Sequence, residues 1–205
     1  MYLPDAFREE DLVKIAALIR AHPLAALVAL QEGELAADHL PFLFDAEKRL
    51  LRAHVARANP LWRRAAQGGA ALAIFGGSEH YVTPSWYPSK RRTGKVAPTW
   101  NYEVVHVHGR LRVMDDAATA LDIVEALTRE HEEKRAAPWA VSDAPEDYVA
   151  MRIKAIVAIE LEITRIEAKR KLSQNQSAED RAGVVSGLRE EGSAAAAEMA
   201  RRMEE

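Results

Sequence analysis

Apolar positions in this chain change period several times, and each change marks an expected element. Within residues 9–20, EEDLVKIAALIR, the positions Leu12, Ile15, Ala16 and Ile19 share one helical face behind an acidic first turn. An apolar run over residues 24–30 then meets Glu32-Gly33-Glu34, and a second run covers 35–44. A glycine between two β-compatible runs predicts a hairpin. Residues 50–55 read as a third strand. Asn59 then stands as a helix cap, with Pro60 in the first helical position and Leu61 to Ala66 behind it, ended by Gly68-Gly69. A fourth strand is expected over 70–75, closed by Gly76-Gly77, and 78–100 has loop character.

The second half returns to extended structure over 101–114. There Val105, Val107, Leu111 and Val113 alternate with His106, His108, Arg110 and Arg112. Helices are expected over 115–134, with Asp115 or Asp116 at the cap, and over 145–154. The cleanest alternation lies in 155–166, where Val157, Ile159, Leu161 and Ile163 face one way and Glu160, Glu162 and Thr164 the other. Six or seven strands without regular βαβ order argue for a mainly antiparallel β fold with peripheral helices, a barrel or α+β arrangement. The expected division is 1–168 for the barrel and 169–205 for a tail of two short helices, broken near Gly187 and Gly192. So few large apolar residues in the tail predict weak packing on the barrel, unless it docks on a partner subunit.

Composition narrows the class. The chain has 205 residues, 48% hydrophobic and 29% charged, as ordinary globular proteins do. Its longest apolar run, residues 23–30, is far shorter than the roughly 20 residues of a membrane span, and the opening lacks a signal-peptide pattern. A cytoplasmic location is expected, with no membrane partner. The absence of cysteine removes disulfides, thiolate nucleophiles and thiolate-bound metals together. A formal charge of −3 gives no global drive toward nucleic acid. From Arg165 to Glu205 the basic and acidic residues number eight each, which makes the tail a poor recognition helix for DNA.

Candidate chemistry concentrates in one stretch. Five of the nine Trp and Tyr residues (Tyr81, Trp86, Tyr87, Trp100 and Tyr102) fall within 81–102, beside Thr83, Ser85, Lys90 and Asn101. Flat rings next to hydroxyls and cations suit a planar, phosphorylated ligand; the same rings equally suit a loop stapled to the barrel wall. A second cluster, HVARANPLW at 54–62, offers His54 and Arg57 near a helix start, where an anion is favoured. Lys90-Arg91-Arg92 with Lys95 forms a dense basic patch. His39 reads as a core or interface residue, and His106 with His108 gives only a weak metal pattern.

These motifs have a familiar order. MYLPDAF at the start, HLPF at 39–42, HVARANPLW at 54–62, YVTPSWYPSK at 81–90, GKVAPTWNYEVVHVHG at 94–109, KRKLSQN at 169–175 and DRAGVVSGL at 180–188 resemble the PaiB family of FMN-binding negative transcriptional regulators. The resemblance implies an FMN-binding split β-barrel, six-stranded and Greek-key-like, that forms a homodimer with ligand sites at the subunit interface. It implies FMN as cofactor, repression of genes for degradative enzymes and sporulation, and a DNA or regulatory protein partner. It further implies phosphate-holding roles for His54, Arg57, Tyr81, Thr83, Ser85 and Lys90, with Trp86, Trp100 and Asn101 near the ring. Lys169, Lys171, Gln174 and Asn175 match the late motif, which would close the site from the other subunit. A flavin-dependent oxidoreductase and a heme-binding protein on the same barrel are the alternative readings.

Overall fold

The computed structural model describes residues 1–31, 33–65 and 68–205; Glu32 of the expected turn and Ala66 of the expected helix lie outside them. The strands are β1 (Arg8–Glu9), β2 (Leu24–Gln31), β3 (Glu34–Pro41), β4 (Leu43–Asp45), β5 (Leu50–Ala56), β6 (Ala70–Val82), β7 (Thr99–Met114) and β8 (Ile156–Lys171). The helices are α1 (Leu12–Ala21), α2 (Leu61–Ala65), α3 (Lys90–Thr93), α4 (Ala117–Glu132), α5 (Glu146–Lys154), α6 (Ala178–Glu191) and α7 (Ala194–Glu204). The sheet is antiparallel, in the order β3-β2-β6-β7-β8-β5-β4, with β1 paired to β8. Two of the eight strands are very short, β1 with two residues and β4 with three, which accounts for the excess over six.

Contacts divide the chain into two compact units, and neither is continuous in sequence. One comprises residues 16–75 and 106–166; the other comprises 1–15, 76–105 and 167–205. The boundary expected at 168/169 falls inside β8.

In the first of these units, β2 and β3 form the predicted hairpin, in register from Leu24↔Pro41 to Gln31↔Glu34. Gly33 takes the positive φ, 89°, that such a reversal needs. β5 pairs with β8 from Leu50↔Glu162 to Ala56↔Ile156. Alternation buries Leu51, Ala53 and Val55 of β5, together with Val157, Ile159 and Leu161 of β8. Phe42 and Phe75 meet edge to face at 6.0 Å. α4 is capped by Asp116, which accepts from the Thr119 amide at 2.8 Å, and it packs Ala120, Ile123 and Leu127 against Leu43, Ile153 and Ala158.

The other unit corrects the view of the tail. Val184 and Leu188 of α6 and Ala196, Met199, Ala200 and Met203 of α7 are buried with Val82, Tyr87 and Leu172. Few apolar residues suffice because they recur one turn apart on one face of each helix. Gly187 does not break α6. A Cβ built there would lie 2.3 Å from the Trp86 indole, and one on Gly183 would lie 2.3 Å from the Trp86 carbonyl oxygen. The two glycines let the helix approach that closely. Gly192 (φ 74°) ends α6, and Ser193 caps α7 by accepting from the Ala196 amide at 3.1 Å. Gly76-Gly77 likewise fails to close a strand, since β6 runs through it to Val82. The loop is therefore shorter than expected and holds a 3₁₀ turn at Pro84–Trp86 and the single-turn α3.

Candidate functional site

In the unit of residues 16–75 and 106–166, the strand parity of β5 puts Arg52 and His54 on one face. Arg52 Nε and His54 Nδ1 are buried there with no hydrogen-bond partner among the described residues. Burial holds the His54 imidazole below the ordinary histidine value, so it stays neutral over a wider pH range. A buried guanidinium N–H without an acceptor is unfavourable in isolation, and an anion placed there would satisfy it.

Arg57 has a different occupation. Its guanidinium forks onto Asp115, with Nη2–Oδ1 at 2.7 Å and Nη1–Oδ2 at 3.3 Å. It also donates to the carbonyls of Lys154 and Ile156 at 2.9 and 3.0 Å. The Asp115 hydrogen bond raises the arginine's pKa and lowers the aspartate's. Asn59 accepts from the Leu61 amide at 2.8 Å, as a cap should, and donates to Asp38 at 2.7 Å. His39 is exposed. The His106 and His108 rings stand 6.4 Å apart, with Arg165 at 3.2 Å from His108 Nε2.

The other candidate residues fall in the unit of residues 1–15, 76–105 and 167–205. Tyr81 and Trp100 keep exposed faces and meet edge to face at 5.9 Å. Trp86 packs against Gly187. Thr83 caps the 3₁₀ turn by accepting from the Ser85 amide, and Lys90 reaches the Ser85 hydroxyl at 3.3 Å. His80 contacts the Tyr81 carbonyl at 2.7 Å and Glu191 at 3.0 Å through its two ring nitrogens. Asn101 is fully buried, accepting from the Ser173 hydroxyl at 3.1 Å and donating to Met203 Sδ at 3.4 Å.

The late motif opens as strand. Lys169 is buried, donates to the Tyr2 carbonyl at 3.3 Å, and has the rings of Tyr2, Phe7 and Tyr102 within 6.0 Å. Lys171 donates to Thr99 Oγ1 and to the Trp100 carbonyl, both at 2.5 Å. Burial first, and then neighbouring Lys169, lower its pKa. Gln174 closes the turn after β8 by accepting from the Leu172 amide and donating to the Arg170 carbonyl. Asn175 lines a small cavity together with Lys171 and Tyr87.

Two residues, Arg52 and Glu103, escaped the sequence reading, and the particular position of a third, Tyr87, was not legible. Arg52 shares its strand face with His54, two positions away. Glu103 shares the parity of Val105 on β7, which buries it. Tyr87 was seen as one of several aromatics, but its hydroxyl is buried and lacks a partner among the described residues.

The antiparallel sheet order and its short edge strands are those of the split-barrel fold of flavin-binding proteins. The sequence comparison agrees: residues 1–165 match the family model described as "Putative FMN-binding domain", and the chain belongs to that family. It is 34% identical to an uncharacterized protein of Emericella nidulans, over 92% of this chain and 90% of that protein. It is 28% identical to protease synthase and sporulation protein PAI 2 of Bacillus subtilis, over 100% of this chain and 97% of that protein. Among solved structures, the FAD and heme binding protein of Mycobacterium smegmatis is similar with a TM-score of 0.60 at 18% identity, covering 80% of this chain and 73% of that one. A conserved hypothetical protein of Mycobacterium tuberculosis gives 0.62 at 6% identity, covering 86% and 94%. At such identities the likeness concerns the fold. Among the described residues, no helix is long and apolar enough to cross a membrane.

Proposed function

We propose that this chain binds FMN and acts as a flavin-dependent negative regulator of transcription, working as a homodimer. The observation that carries the flavin half is the unsatisfied face of β5, where Arg52 Nε and His54 Nδ1 are buried without partners. The Arg52 guanidinium fits the phosphate of FMN, which supplies the oxygen acceptor its Nε–H lacks, and the His54 ring donates to the same group in its Nδ1–H tautomer. When bound, FMN supplies redox chemistry of one or two electrons. The chain's own part on this face is to bind the phosphate.

The regulatory half rests on the likeness to protease synthase and sporulation protein PAI 2, which extends over the whole chain. A net charge of −3 favours action through a protein or metabolite partner over strong direct DNA contact. The test is an absorbance spectrum of the purified protein after incubation with FMN and gel filtration. Flavin bands should co-elute with a dimer and disappear when Arg52 and His54 are both replaced by alanine. Flavin lost from the wild type on the column would refute the cofactor reading. The absence of any DNA or protein partner near micromolar concentration at low salt would refute the regulatory one.

A further inference from the structure

A separate cavity of about 310 Å³ lies wholly within the unit of residues 1–15, 76–105 and 167–205. Lys95, Lys171, Ser173, Asn175 and Asp180 line it, and so does Tyr87. Tyr87 is only 4% exposed, yet its hydroxyl has no hydrogen-bond partner among the described residues. A buried phenol without an acceptor forfeits a hydrogen bond that it would make in water. Its ring is held by the apolar cluster formed with Val184 and Leu188, so the hydroxyl is fixed.

Asp180 does not take up the lysines' charge by itself. It already accepts from the Ser89 amide at 3.0 Å, and the cavity carries two ammonium groups against its one carboxylate. Burial, and then the charge of Asp180, raise the Tyr87 pKa, so the hydroxyl remains protonated and is a donor at neutral pH.

We infer that this cavity is a binding site for a small organic oxyanion, a carboxylate or phosphate ester, distinct from the phosphate-binding face of β5. The anionic group would lie toward Lys171 and Lys95, and an acceptor atom would receive the Tyr87 hydroxyl. The volume is at the lower end of metabolite pockets, which run from roughly 300 Å³ upward. That suits an effector molecule better than a whole dinucleotide. In a flavin-binding regulator such a site supplies a natural input, although its existence does not depend on the regulatory reading.

The experiment is calorimetric titration of the FMN-loaded protein with inorganic phosphate and, separately, with succinate. The two arms distinguish a phosphate site from a carboxylate site. One of the probes should bind, with affinity reduced about tenfold in Lys171→Met and several-fold in the near-isosteric Tyr87→Phe. Tyr87→Phe should leave FMN retention unchanged. Failure of both probes to bind the wild type, or binding indifferent to Tyr87→Phe and Lys95→Ala, would overturn the assignment. Loss of FMN from Tyr87→Phe would also overturn it, since the cavity would then belong to the cofactor. If instead FMN fails to bind the wild type while a probe still binds the ligand-free protein, the cofactor reading falls and this one stands.

Discussion

The carboxylate of Glu103 accepts a hydrogen bond from Arg170 Nε at 2.7 Å, with the acid 1% and the arginine 11% exposed. Arg202 of α7 grips the same carboxylate through Nε at 2.8 Å. Glu205 lies against both arginines, and Glu9 stands 3.6 Å from Arg170. The centre of the cluster is stable only when paired, because Glu103 or Arg170 left alone would be a buried, unpaired charge.

Replacing Glu103 by alanine should therefore destabilise the protein by about 3–5 kcal/mol, a figure typical of breaking a buried pair from one side. Urea unfolding measures it. A loss below about 1 kcal/mol would mean that water reaches the arginines and replaces the acid.

Gly187→Ala sets two effects against each other. Helix propensity favours alanine by about 1 kcal/mol, whereas the new methyl must displace the Trp86 indole. Overpacking of this kind costs about 1–3 kcal/mol and should win, lowering stability and shifting the Trp86 fluorescence. A more stable variant with an unchanged emission spectrum would show that the indole moves freely.

Arg57→Ala should lower the unfolding midpoint while leaving FMN affinity within about twofold, because Asp115 and two carbonyls already occupy the guanidinium. Arg52→Ala should do the reverse, weakening FMN by tenfold or more through a lost charge-assisted contact. Fluorescence titration of FMN against both variants separates the roles.

The half-buried His54 gives a pH dependence of definite sign. Its folded-state pKa lies below the ordinary value of about 6.5, so the native protein binds fewer protons than the unfolded chain below neutrality. The corresponding stability is fully present above that value. It is lost as pH falls through it toward the folded pKa. Chemical denaturation from pH 8 to pH 5 should show this decline flattened in His54→Gln.

Much of this organisation could be read from local pattern. The alternation in β8 named its buried residues Val157, Ile159, Leu161 and Ile163, and Asn59 announced its cap. What local pattern missed depended on partners distant in sequence. Gly187 looked like a helix breaker because the indole it accommodates belongs to Trp86, about a hundred residues earlier. Glu103 was overlooked although its parity with Val105 put it inside, since a buried acid makes sense only with Arg170 and Arg202 in place. Val184 and Leu188, like Met199 and Met203, are four residues apart, a repeat that composition alone concealed. Arg57 drew attention for its place near a helix start, and its pairing with Asp115 was hidden because that residue lies far along the chain. Of the site, the aromatic stretch was legible, whereas the unsatisfied atoms of Arg52 and Tyr87 emerge only when every neighbour is in place.

The discontinuity of the unit containing Trp86 bears on how the chain is made. Val82, Tyr87 and Trp86 leave the ribosome long before the helices that cover them. Until α6 and α7 have been made, these side chains lack the cover that those helices give. A chain stopped at residue 165, where the family match ends, would never acquire it. Helices α6 and α7 thus complete the cover of this unit during synthesis, and products cut short of them should be marked for aggregation or degradation by the apolar surface they leave bare.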